Sequence, residues 1–239
     1  MAQPADIRPS RSPSGYANLL IGAVGDSSQS TRAPVWHSRG YVPHFDSPDV
    51  IQHVAFHLAD SLPQQVVERL SSELRHMPPA EQDAERRRRV DAWLDGGHGC
   101  CVLGLAPVAE LVQNALLHFD DVRYRPAAWV VMPNHVHVLI QTLARWQLAK
   151  VVASWKKFTA RRINECASQL CRKVNGANQE IGVPGYPVWH REYWDRFVRN
   201  AKHFRAVVEY IHENPVKAGL ASRPQDWRWS SAATGDLSG

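Results

Sequence analysis

Cysteine is scarce in this sequence, long apolar runs are missing, and neither sign of charge dominates. The four cysteines, Cys100, Cys101, Cys166 and Cys171, form an adjacent pair and a C-x4-C pair. Neither has the C-x2-C spacing of a thiolate zinc site, so free thiols in a reducing cytoplasm are expected. No stretch approaches the ~20 apolar residues of a membrane span, and the N-terminus lacks a basic region followed by a hydrophobic segment. Neither membrane insertion nor export is expected, and the expected location is cytoplasmic. The 28 Lys and Arg against 23 Asp and Glu leave a net charge of +5, a bias that favours a polyanionic partner without demanding one. With 239 residues and 44% hydrophobic content, the chain suits one sizeable domain with tails.

Residues 1–36 are rich in Ser, Pro, Ala, Arg and Gly and are expected to form a disordered tail, because they cannot bury enough apolar surface to order themselves. The texture changes at "RGYVPHFD", and residues 37–232 read as the domain, with 233–239 as a C-terminal tail. "VIQHVAFHLA" reads as a first strand. "PQQVVERLSSELRHM" and "PAEQDAERRRRVDAWLDG" read as two helices, the second ended by Gly96 and Gly97, inserted between strands over residues 61–105. "APVAELVQNALLHFD" has apolar Val108, Leu111, Val112, Ala115 and Leu116 at helical spacing, a helix laid on a sheet. No internal repeat is evident.

Two strand-like runs then flank Pro133 and Asn134, which favour a turn, so "HVHVLIQT" opens the second arm of a hairpin. Strand alternation puts His135, His137 and Leu139 on one face and Val136, Val138 and Ile140 on the other. Two imidazoles roughly 7 Å apart can converge on one metal ion or one phosphate. After them, residues 144–164 read as a helix with Leu148, Val151, Val152 and Trp155 inward. Its Lys150, Lys157 and Arg161 fall within about 40° on a helical wheel, a basic stripe suited to a nucleic-acid backbone or simply a solvated face.

"NAKHFRAVVEYIHENPVKAGLA" reads as a late helix with Asn200 as N-cap and Phe204, Val207, Val208 and Ile211 buried, ending at Asn214 because Pro215 follows. Tyr210 and Asn214 are i, i+4 neighbours on the flank of that buried face. A divalent cation held by two imidazoles and an amide oxygen keeps positions open for a phosphate, which it would polarise for attack by the Tyr210 oxygen. A phenol of pKa about 10 needs a nearby cation or base, and the metal or Lys217 could supply it. Taken alone, Tyr210 would equally serve as a boundary tyrosine with its hydroxyl in water.

"AWVVMPNHVHVLI" together with "YIHENPVKAGL" resembles the single-tyrosine HUH transposases of bacterial insertion sequences, and most closely the branch called REP-associated tyrosine transposases. "RGYVPHFD", "SWKKFTARRIN" and "VWHREYWDRFVRN" resemble the same branch, so the likeness covers about residues 38–231. It implies an α+β fold, a ferredoxin-like palm with helices packed on an antiparallel sheet. It implies His135 and His137 as metal ligands, Asn214 completing the shell where the insertion-sequence enzymes commonly carry glutamine, and Tyr210 as nucleophile. The implied cofactor is Mg²⁺ or Mn²⁺, the implied partner single-stranded or hairpin DNA from repeated palindromic sequences. The implied reaction is cleavage and rejoining through a 5′-phosphotyrosine, by a monomer or homodimer. Lys150, Lys157, Arg161 and Lys217 are the expected DNA contacts, with Trp155, Trp189, Tyr193 and Trp194 as stacking aromatics, though most of these aromatics suit a core better. Residues 61–105 exceed the family's minimal core, and their sequence assigns them no role. Two other readings stand beside this one: a hydrolytic phosphodiesterase in which water attacks, and a catalytically silent DNA-binding regulator.

Overall fold

The computed structural model describes residues 35–38, 43–48, 50–143, 145–174 and 187–234. The expected tail over 1–36 lies outside these, apart from Val35 and Trp36, and so do residues 235–239. Two short strands, β1 (Val35–Ser38) and β2 (Pro43–Asp46), pair as a separate hairpin. The main sheet comprises β3 (Ile51–His57), β4 (Tyr124–Val131), β5 (His135–Thr142) and β6 (Trp194–Phe197), antiparallel throughout in the order β4-β5-β3-β6. Helical crossovers join β3 to β4 and β5 to β6, which makes this the β-α-β-β-α-β order of a ferredoxin-like palm. The α+β class expected from the sequence is the one observed.

The alternation of "HVHVLI" decides what each face of the sheet carries. Val136, Val138 and Ile140 join Val54, Phe56 and Trp129 in the larger core, roofed by α3 (Ala106–Leu117) and α4 (Leu148–Val174). Leu139 points the other way, into a second core with Ile51, Ala128, Val130 and Met132, closed by Phe204, Val207 and Ile211 of α5 (Ala201–Lys217). The inserted helices α1 (Gln64–Leu74) and α2 (Pro79–Asp95) bury Leu62, Val66, Leu70, Val90 and Leu94 between themselves, a third small core beside the α5 face. Pro126 sits on β4, an edge strand, where its missing N–H and the adjacent register shift do little harm. The C-terminal segment covers that edge, with Val131 N donating to Trp229 O at 2.8 Å.

Two helix boundaries differ from those expected. α4 begins at Leu148 rather than residue 144, because Asp46 Oδ1 accepts from Leu148 N at 3.2 Å and so serves as a remote cap. It runs on to Val174 because no breaker intervenes before the Asn175-Gly176 pair. α5 does not end at Asn214: Pro215 lies inside it. The proline sits in the last turn, where it removes one intrahelical bond, while Ala218 N still donates to Asn214 O at 3.0 Å and Leu220 N to Pro215 O at 2.8 Å. Burial of both Asn214 and Pro215 outweighs the local preference of a pre-proline residue for extended geometry. At the start of α5, Asn200 caps as expected, its side chain accepting from His203 N at 2.9 Å.

Leu139 is fully buried under α5. Leu139→Ala is expected to lower stability by about 2–5 kcal/mol. Val122→Ala, at a side chain 62% exposed, is expected to stay within about 0.5 kcal/mol. Equilibrium urea unfolding of the two variants checks the contrast.

Candidate functional site

His135 and His137 open β5 on the α5 face, and their rings lie 4.9 Å apart at 82°. Both are 1% exposed. Antiparallel register sets His57 opposite His135, Ala55 opposite His137 and His53 opposite Leu139, so three residues of β3 share the histidines' face. Ala55 is small, and the space it leaves under His137 opens into a cavity of about 400 Å³.

The outer nitrogen of each ring is engaged from behind. Asn134 Nδ2 donates to Leu94 O at 3.0 Å and His98 O at 2.9 Å, which fixes the orientation of its amide. Its Oδ1 therefore faces His135 Nδ1 at 2.8 Å, and the imidazole must be the donor there. The proton sits on Nδ1, and Nε2 presents a lone pair. His137 Nδ1 lies 3.2 Å from His53 Nε2, so the same logic applies once Nδ1 donates to His53. Both Nε2 atoms are buried without a hydrogen-bond partner. Pro133-Asn134 reads in the sequence as a turn alone, and the contact of His53 with His137 is set by cross-strand register.

Asn214 is also fully buried, and its amide lies beside the His135 ring and the Tyr210 phenol, yet neither of its polar atoms makes a hydrogen bond of ordinary geometry. Two imidazole nitrogens and one amide oxygen are thus left without partners in one place. Among the described residues no three His, Cys, Asp or Glu side chains form a metal cluster, so a metal here depends on the amide or on substrate oxygens. Tyr210 packs edge-on to His137, with ring centres 5.3 Å apart, and to His53 at 5.8 Å. Lys217 Nζ stands 5.3 Å from the centre of the Tyr210 ring.

The inserted helix supplies what the sequence did not reveal. Tyr210 Oη donates to Asp91 Oδ2 at 3.0 Å, and Asp95 Oδ1 lies 3.7 Å from His135 Nε2. Both carboxylates belong to α2, and Arg87 and Arg88 of the same helix line the cavity. Arg196 and Trp194 of β6 and His203 of α5 complete its wall. The basic stripe of α4 is elsewhere: α4 packs on the Val136 face, so Lys150, Lys157 and Arg161 are exposed on the far side of the sheet, with Arg161 Nε 3.0 Å from Glu165 Oε1. Lys217 alone of the four expected DNA contacts adjoins the histidines. Of the aromatics, Trp155, Trp189 and Tyr193 are core residues, and Trp194 is the one at the cavity.

Residues 119–214 match the family described as Transposase IS200 like. That segment is similar to the IS200-like transposases. It starts just ahead of β4 and ends on Asn214, so it contains His135, His137 and Tyr210 and leaves out α1 and α2. Over 127 residues the chain is 26% identical to the REP-associated tyrosine transposase of Escherichia coli, covering 51% of this chain and 63% of that one. Over 110 residues it is 28% identical to a candidate REP-associated tyrosine transposase of Haemophilus influenzae, covering 45% and 58%. The chain therefore spans about three-fifths of the length of these curated relatives. A solved REP-associated tyrosine transposase bound to a REP hairpin superposes with a TM-score of 0.44 at 17% identity, over 87% of this chain and 84% of that one. No helix among the described residues is long and apolar enough to cross a membrane.

Burial shapes the electrostatics of the histidine pair and its surroundings. It lowers His53 and His135 to about 4 and His57 to about 3, and holds His137 well below 6.5. These four rings take up protons in the unfolded chain below about pH 6.5, but in the folded chain only at lower pH. The unfolded state thus binds more protons, and stability falls as pH drops from about 6.5 towards 4. Burial raises Asp95 to about 6 and also raises Asp91; these act in the opposite direction, but four rings outnumber two carboxyls. In chelator, the melting temperature is expected to be lower at pH 5 than at pH 7, and a thermal scan by circular dichroism checks the sign.

Proposed function

We propose that this chain is a metal-dependent transposase that cuts and rejoins single-stranded DNA beside hairpins of repeated palindromic sequences, with Tyr210 as nucleophile. The observation that carries the reading is the pair of buried imidazoles whose Nδ1 atoms are engaged and whose Nε2 atoms are not, set beside a buried amide and a phenol. Such a donor set fits Mg²⁺ or Mn²⁺ held by His135, His137 and Asn214, with coordination positions kept for phosphate oxygens. When bound, the ion would draw charge from a phosphate and make its phosphorus a better electrophile. The names of the relatives in Escherichia coli and Haemophilus influenzae, tyrosine transposases both, agree with a tyrosine in this role.

The chain's own residues do the rest. Tyr210 attacks the phosphorus, its oxygen forms the new P–O bond, and the bond to the 3′ oxygen breaks, leaving a 5′-phosphotyrosine and a free 3′-OH. Rejoining is the reverse, with the 3′ oxygen attacking and the phenol departing. Arg87, Arg88 and Arg196 line the cavity beside the reacting groups and suit the DNA backbone. The α4 stripe, on the far side of the sheet, would serve a more distant stretch of DNA.

Tyr210→Phe removes one oxygen and is expected to leave hairpin affinity and folding unchanged while cleavage falls below detection. The wild-type chain, incubated with labelled single-stranded hairpin DNA and Mg²⁺ or Mn²⁺, should yield an adduct that survives SDS and is lost to protease. Comparable cutting by Tyr210→Phe would mean that water attacks instead.

A further inference from the structure

The Tyr210 hydroxyl does not point into solvent, nor does it hydrogen-bond to Lys217. It donates to the carboxylate of Asp91 at 3.0 Å, across 119 positions of sequence. Asp91 lies on α2, in the 61–105 insertion and outside the matched segment of residues 119–214. α2 is held in place by its own small core, in which Val90 and Leu94 flank Asp91. Asn134 reaches across to hold Leu94 O and His98 O, just past the carboxylate, with the same amide that orients His135. The clamp thus ties the helix that carries the carboxylate to the strand that carries His135, and Asp91 and Tyr210 both line the cavity.

We propose that Asp91 is a catalytic residue of this chain, the general base that takes the proton of Tyr210 as the phenol attacks phosphorus. The inference rests on the reading of Tyr210 as nucleophile. In the forward step the Tyr210 O–H bond breaks and its proton passes to Asp91 Oδ2. The phenolic oxygen uses the freed electron pair to bond phosphorus, and the P–O3′ bond pair leaves on the 3′ oxygen, which takes a proton from solvent. Asp91 then releases its proton to solvent, so the cycle closes without net gain or loss. In rejoining, the departing phenolate recovers its proton through the same carboxyl.

The geometry meets the reach a general base requires, about 2.6–3.2 Å between heavy atoms. Burial also raises the proton affinity of Asp91. Lys217 Nζ stands over the ring, 5.3 Å from its centre, whereas the hydroxyl itself is hydrogen-bonded to Asp91. The insertion, for which the sequence offered no role, would then bring the base to a nucleophile that the rest of the fold supplies.

The test is the single-turnover rate of adduct formation on labelled single-stranded hairpin DNA with randomised unpaired flanks, in Mn²⁺. Asp91→Asn keeps the size and a hydrogen-bond acceptor but cannot hold the proton at neutral pH, and it is expected to slow adduct formation by about 10²–10⁴-fold. Its hairpin dissociation constant and melting temperature should match the wild type, and Asp91→Glu should recover part of the rate. Adduct formation by Asp91→Asn at the wild-type rate overturns the proposal; a faster rate overturns it too, showing that the contact restrains the tyrosine. Should Asp91→Asn not fold, the wild type carries the test alone: a proton in flight makes adduct formation slower in D₂O than in H₂O, and equal rates overturn the proposal. A wild type that makes no Tyr210 adduct on any member of the pool defeats the transposase reading itself, whereas a wild-type adduct with an unimpaired Asp91→Asn defeats only the role of Asp91.

Discussion

The arrangement depends on one amide. Asn134 sits fully buried in the turn between β4 and β5. With two donor hydrogens it ties the end of the inserted helix to the hairpin, and with its one acceptor it fixes the proton of His135 on Nδ1. Hydrogen-bond capacity leaves no freedom here: an amide whose nitrogen donates to two carbonyls keeps its oxygen turned to the ring, where it can only accept. A bare, buried Nε2 is costly unless something binds it, because a desolvated polar atom loses its water without compensation. Such unpartnered atoms on His135, His137 and Asn214 are the physical basis of the proposed metal site.

Around that clamp the sheet divides its labour by face. Apolar residues at even positions of β5 hold α3 and α4 and carry much of the packing. Odd positions meet α5 and the insertion, where the apolar seal is smaller and gives way to imidazoles, a phenol, carboxylates and arginines around a cavity. Sites placed on strands and helices with packed backs hold their geometry better than sites on loops. β1 and β2 add an outer brace: His44 pairs with the Asp195 carboxylate, and Phe45 N donates to Asp195 Oδ2 at 3.1 Å, fastening the hairpin to β6.

Much of this was legible in the sequence, and the boundary between legible and hidden follows the range of the physics. The face of His135 and His137, the hairpin turn, the packing stripe of α5 and the proximity of Tyr210 to Asn214 are short-range consequences of period 2 and period 3.6, and they appear as read except that Val208, at the edge of the stripe, is only partly buried. The ferredoxin-like order was implied by resemblance, and the register of the strands agrees. What was hidden is long-range. Asp91 and Asp95 are separated from Tyr210 by more than a hundred residues, in a helix with four consecutive arginines to which the sequence assigned no role. The α4 stripe was legible as a stripe, but not which side of the sheet it would occupy. His53 and Asn134 act through their second polar atoms, which no spacing rule exposes. The helical geometry of Pro215 came from burial overruling a local preference.

In the proposed site, His135 and His137 would turn their unpartnered Nε2 atoms towards one divalent ion. A titration of Mn²⁺ into metal-free protein, followed by calorimetry and by loss of the free-ion electron paramagnetic resonance signal, addresses it directly and needs no DNA. The expected result is one site in the wild type that disappears in His135→Ala and in His137→Ala. In Asn134→Ala that site should weaken by about 10–100-fold, because the ring loses the partner that orients it. Mn²⁺ binding that is unchanged in both histidine variants would mean that the two imidazoles do not hold the ion.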